Sequence, residues 1–102
     1  MALIQPHMAV KCRTPEEVAI YEEIARAEGH STPYGEIQKS GAVKRLYITN
    51  YSDTYTYPKD VGHTSTLNYL DNDPKFTVIE ASDLFRNQLI SRRIKHERSS
   101  TE

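Results

Sequence analysis

The stretch TPEEVAIYEEIARAEG, Thr14 to Gly29, decides the fold. Thr14 carries the side-chain oxygen of a helix cap. Pro15 suits the first helical position, where its missing N–H would have no partner anyway, and Glu17 completes a capping box. Gly29 supplies the left-handed stop. Between these signals Val18, Ile20, Tyr21, Ile24, Ala25 and Ala27 cover roughly half of the helical wheel. Glu16, Glu17, Glu22 and Glu23, with Arg26, read as its solvated face. Met8 to Arg13, just before, reads as a short strand, so the chain enters this helix from a sheet.

Toward the C-terminus, HSTPYGEIQKSG (His30–Gly41) is broken by Pro33, Gly35 and Gly41 and predicts a loop lying across the domain. Ala42 to Tyr57 predicts a β-hairpin. It overlaps YITNYSDTYTYP, Tyr47 to Pro58, which holds four of the seven tyrosines. With residues 50–53 as the loop, Ile48 faces Tyr55 and Leu46 faces Tyr57, which puts the strong apolar side chains on one face and avoids burying the Asn50 amide. Tyr47 and Tyr51 then lie on the outer face or the loop tip. Lys59 to Pro74 reads as polar and turn-rich, with Asp71 to Pro74 a turn. Lys75 to Glu80 alternates as a strand, Phe76 and Val78 on one side and Thr77 and Ile79 on the other. Ser82 is the expected cap of a last helix running to about His96, with Asp83 in its first turn. That helix shows two apolar faces, one of Leu84, Phe85 and Leu89 and another of Ile90 and Ile94. The second face calls for the long loop or a partner subunit, so a homodimer is one candidate arrangement.

The order strand, helix, hairpin, strand, helix predicts an α+β fold: a single domain, residues 1–102, with a small, mostly antiparallel sheet of three to four strands and two helices. A parallel pair can form beside the first crossover. Residues 1–7 are expected to be a loose leader, with Met8 an alternative start, and residues 97–102 to fray.

A chain of 102 residues with 37% apolar and 26% charged residues matches a soluble globular domain, and its net charge of −1 gives no general attraction to nucleic acid or anionic membrane. One cysteine, Cys12, excludes an internal disulfide framework and fits a reducing compartment. The N-terminus has no basic leader and no segment is apolar enough to span a bilayer, so a cytoplasmic location is expected.

Motifs for chemistry are sparse. His7, His30, His63 and His96 are far apart in sequence, Cys12 has no CxxC or HxxxH neighbour, and the spacing indicates no metal and no cofactor. Asp71, Asn72 and Asp73 begin like a calcium loop, but Pro74 follows and the glycine and distal glutamate are missing. Neither a GxSxG nor a catalytic cysteine signature occurs, and no enzyme is expected. The charge is polarised. Residues 14–36 carry six acidic side chains against Arg26, and residues 86–98 carry five basic ones against Glu97. Such poles can orient a charged partner, and exposed Tyr and Arg supply concentrated binding energy. Tyr34, Tyr47, Tyr51, Arg92 and Arg93 are therefore the candidate partner-binding residues.

Two pieces, VKCRTPEEVAIYEEIARAEG and FTVIEASDLF, together with the tyrosine-bearing strand RLYI, resemble small accessory proteins of bacteriophages. The resemblance covers about a third of the chain, departs from it between Thr49 and Pro74, and carries over no site residues. It implies a viral context, the host cell cytoplasm, and a non-catalytic protein that acts on a host machine, defence nucleases included. The leading expectation is thus an inhibitor or modulator that contacts a host protein. The alternative is a nucleotide or nucleic-acid binder, such as a sponge for a signalling nucleotide, with tyrosines stacking a base near Arg92 and Arg93.

Overall fold

A computed structural model describes residues 3–32, 35–49 and 61–91 of the chain. Strand β1 (Met8–Cys12) leads into helix α1 (Pro15–Ala27), followed by the short strands β2 (Ser31–Thr32) and β3 (Gly35–Glu36). Strands β4 (Arg45–Thr49), β5 (Val61–Thr64) and β6 (Thr77–Glu80) complete the main sheet, and β6 runs directly into helix α2 (Ala81–Leu84). A further helical stretch covers 86–91. The sheet order is β5-β4-β1-β6, with β2 and β3 paired separately as an antiparallel ribbon. Strand β1 runs antiparallel to β4 and parallel to β6, and β4 runs antiparallel to β5. The architecture is α+β, with a parallel pair inside a mixed sheet.

The caps of α1 form much as the sequence dictates. The Thr14 side chain accepts from the Glu17 N–H at 3.2 Å, while Glu17 reaches back to the N–H of Arg13 at 2.8 Å, one residue earlier than a standard capping box. At the other end Gly29, with φ of 85°, donates to the Arg26 carbonyl and His30 donates to that of Ala25, a Schellman closure.

Strand β1 is central and buried on both faces. Met8, Val10 and Cys12 join the larger core with Val18, Ile20, Tyr21 and Ala25 of α1 and with Phe85 and Leu89. On the other face Ala9 packs with Leu46 and Leu70, and Ile48, Leu67, Phe76 and Val78 lie against them. Each fully buried large side chain contributes about 1.5–3 kcal/mol. Arg13, just after β1, forms a two-pronged pair with Glu80 at the end of β6, at 2.6 and 2.9 Å. This pair ties together the points where two parallel strands turn into helices, and it holds the Glu80 carboxyl below its usual range.

Several expectations change. The hairpin partner of β4 among the described residues is β5, with Leu46 opposite Thr64 and Ile48 opposite Gly62. Residues 50–60 lie outside the described part. Leu46 and Ile48 of β4 do share one face, but the opposite face is covered as well: Tyr47 belongs to the other core. Within the expected loop His30–Gly41, β2 and β3 form. Ser82 lies inside α2 and does not cap it; Glu80 precedes the helix and gives no side-chain cap bond, its carboxylate being engaged by Arg13. The last helix is not continuous. Phe85, at φ −109° and ψ 26°, ends α2 and is fully buried beside Tyr21, so packing fixes the break. Ile4 is 2% exposed, and the N–H groups of Leu3 and Ile4 donate to the Glu28 carboxylate at 2.7 and 3.0 Å, so this part of the expected loose leader belongs to the core. Residues 97–102 and Ile94 lie outside the described residues.

Candidate functional site

Helix α1 exposes fewer of its carboxylates than its sequence suggests. Val18 is buried, and Glu22 follows it by one helical turn, so Glu22 is carried inward to 2% exposure. A buried carboxylate requires donors, and it has them. The Tyr47 hydroxyl donates to Glu22 Oε2 at 2.8 Å and the Ser40 N–H donates to the same oxygen at 3.2 Å. Glu17 is engaged by Arg13 and Glu28 by Leu3 and Ile4, so half of the apparent acidic pole serves as internal acceptors.

Tyr47 is a correction to the sequence reading, which placed it on the outer face. It is 2% exposed, and its ring stacks on Tyr21 with centroids 4.2 Å apart and planes 6° from parallel. Tyr21 in turn meets Thr49, hydroxyl to hydroxyl, at 3.5 Å. The Arg45 guanidinium lies 6.0 Å from the Tyr47 ring centroid, and Arg45 Nη1 approaches the Tyr47 hydroxyl at 3.5 Å. His63, the cross-strand neighbour of Tyr47 on β5, presents its ring edge-on at 6.2 Å. Burial, then the bond to Glu22, pushes the Tyr47 hydroxyl up to about 12, so it remains a donor at neutral pH. Burial, then the positive charge of Arg45, lowers His63 from its ordinary range, which favours neutral imidazole.

These side chains border a cleft of about 500 Å³ between the β2–β3 ribbon with its following segment and the β4–β5 side of the sheet. Ile37 and Val61 supply apolar wall, and Glu22, Arg45, Tyr47 and His63 supply the polar groups. Three successive residues of β5, Val61, Gly62 and His63, line it. Since alternate side chains of a strand point to opposite faces, this means the cleft meets the edge of the strand as well as one face. Arg26 Nη1 donates to the Ile37 carbonyl at 2.9 Å and fixes the opposite wall to α1.

Of the candidate residues from sequence, only Tyr47 reaches this cleft among the described residues. Tyr34, Tyr51, Arg92 and Arg93 lie outside them. Glu22, Arg45 and His63 were missed, although two signals were present: Glu22 sits at i+4 from Val18, and Arg45 precedes Tyr47 by two positions on one strand. The remaining chemistry is separate. Among the described residues no group of three or more His, Cys, Asp or Glu is placed to hold a metal ion. His7 meets Phe76 edge-on and His30 is buried beside Glu28, while His96 lies outside the described residues. Cys12 is a buried thiol held far above its ordinary pKa by burial, with Glu17 and Glu22 adding to the effect, so it is not an activated nucleophile. Arg86, in the expected basic pole, pairs with Asp83 at 3.1 Å. No described helix is long and apolar enough to cross a membrane.

Comparison with protein-family models, with curated proteins and with solved structures gives no match.

Proposed function

We propose that the chain is a small non-catalytic binding protein that holds a small-molecule ligand in the cleft beside β5. The observation that carries this reading is the cleft itself: about 500 Å³ of space, an apolar wall, and a few convergent polar groups fixed by a buried network. That combination of size and lining suits a ligand of small-molecule dimensions. The test is a fragment screen on the whole chain followed by amide ¹H–¹⁵N shifts. Binders should perturb Ser40, Gly62 and His63 together. Shifts scattered over the surface, or none, would defeat the reading.

A second reading, an inhibitor or modulator that contacts a host protein in a phage context, draws on the large apolar side chains exposed among the described residues, Val43, Tyr69 on the turns over 67–76, and Ile90 on the helical side of the sheet. In this case capture of a host protein would be abolished by Tyr69→Ser or by Ile90→Ser, whichever face makes the contact, and left intact by changes in the cleft. The stacking of a nucleotide base on Tyr47 has little support, because Tyr21 and Arg45 already pack against that ring.

A further inference from the structure

We propose that the cleft is selective for an organic anion, a carboxylate or phosphate ester held by Arg45, with a ring-sized apolar body lying against Ile37 and Val61. This rests on the reading of the cleft as a ligand site and adds the chemistry of the ligand.

The argument begins with which charges in the cleft already have partners. Glu22 is the deepest, and its oxygens accept from the Tyr47 hydroxyl and the Ser40 N–H. At 2% exposure, with two donors already on it, little of this carboxylate is within reach of an incoming cation. Glu36 is exposed on the ribbon, where water and salt screen it. Arg45 differs from both. A guanidinium has five N–H donors, and among the described residues Arg45 has no carboxylate within ion-pair distance; its one side-chain contact is the 3.5 Å approach to the Tyr47 hydroxyl. That hydroxyl bridges the two side chains, accepting from Arg45 at 3.5 Å and donating to Glu22 at 2.8 Å. Arg45 is half-buried, so its unused donors face the cleft environment with less water competing than at an open surface.

At His63, the positive influence of Arg45 outranks the opposing one of Glu22. The neutral imidazole next to it can donate one further hydrogen bond to an anion, and Ile37 and Val61 offer an apolar surface that bare inorganic phosphate cannot use. A planar fork of donors beside an apolar wall fits a carboxylate or phosphate attached to a ring or short hydrocarbon.

The test compares four probes that share a ring and differ in charge: benzoate, phenyl phosphate, benzyl alcohol and benzylamine. Each is titrated into the full chain while the amides of Gly62 and His63 are followed. Benzoate and phenyl phosphate are expected to bind roughly tenfold or more tightly than the neutral and cationic probes. The tighter of the two anions identifies the group the site prefers. Arg45→Gln should bring both anions to the level of benzyl alcohol, and Arg86→Gln, on a surface ion pair away from the cleft, should not. Equal binding of all four probes, or anion binding unchanged in Arg45→Gln, would overturn anion selectivity while leaving a ligand cleft intact. If none of the probes moves these amides, the cleft reading fails as well. Should Arg45→Gln not fold, the comparison of benzoate with benzyl alcohol on the natural chain decides alone.

Discussion

The two faces of the main sheet are both covered, but by materials of different kinds. On one face α1 and the C-terminal helical segments build a deep layer around Tyr21, Ile20 and Phe85, thick enough to shelter Glu22 with its donors. On the other, the turns over 67–76 lay Leu67, Leu70 and Phe76 on Ala9 and Leu46, and Lys11 closes the rim by pairing with Asp71 at 2.8 Å. The thin cover is apolar and sealed by a partly exposed ion pair. The thick one holds a polar network and opens into the cleft. The difference shows where binding can arise in so small a domain: a buried charge needs depth, and only the helical side provides it.

Substitutions can break or sharpen this contrast. The largest loss should follow Phe85→Ala, about 3–5 kcal/mol by urea denaturation, because a fully buried ring is removed where α2, Tyr21 and the sheet meet. Leu70→Ala, on the thin side and 7% exposed, should cost about 2–3 kcal/mol, since turns can settle into the space more easily than helices. Equal losses at the two sites would mean that the covers are mechanically alike.

Tyr47→Phe should cost about 2 kcal/mol, as Glu22 loses one donor and keeps the Ser40 N–H. It should also alter the alkaline limb of stability. The unfolded tyrosine hydroxyl releases its proton near pH 10 and the folded Tyr47 near about 12. Between these values the unfolded chain holds fewer protons, so stability falls as pH rises. The Phe variant should show a shallower decline in this range, with Tyr21 and Cys12, both shifted in the same direction by burial, contributing to what remains. Unfolding curves for both proteins from pH 9 to 12 check it. The smallest effect, below about 1 kcal/mol and reduced by salt, belongs to Asp71→Asn, which removes a partly exposed pair.

How much of this was readable depended on the range of the interaction. Thr14, Pro15, Glu17 and Gly29 act on backbone groups within a few residues, so the bounds of α1 followed from local chemistry alone. The sides assigned to Phe76, Val78 and Ile79 also hold, because alternation along β6 is local. The pairing of β4 was not local. Its partner begins at Val61, in a segment with too little apolar alternation to announce a strand, since Gly62 and His63 are exposed on a sheet edge. Tyr47 was misplaced for a related reason: alternation within RLYIT was read as one wet and one dry face, although its near-continuous apolar character fits a strand covered on both. The cleft combines Glu22 of α1, Ser40, Arg45 of β4 and His63 of β5, groups that only the tertiary fold brings together.

Cys12 gives this arrangement a practical use. It is the sole thiol of the chain, fully buried in β1, the strand flanked by β4 and β6. A water-soluble disulfide reagent can reach it only from conformations in which the helical layer has lifted from this face of the sheet. Labelling rates followed across mild denaturant would therefore time the lifting of that layer, while fraying of the β5 edge would pass undetected.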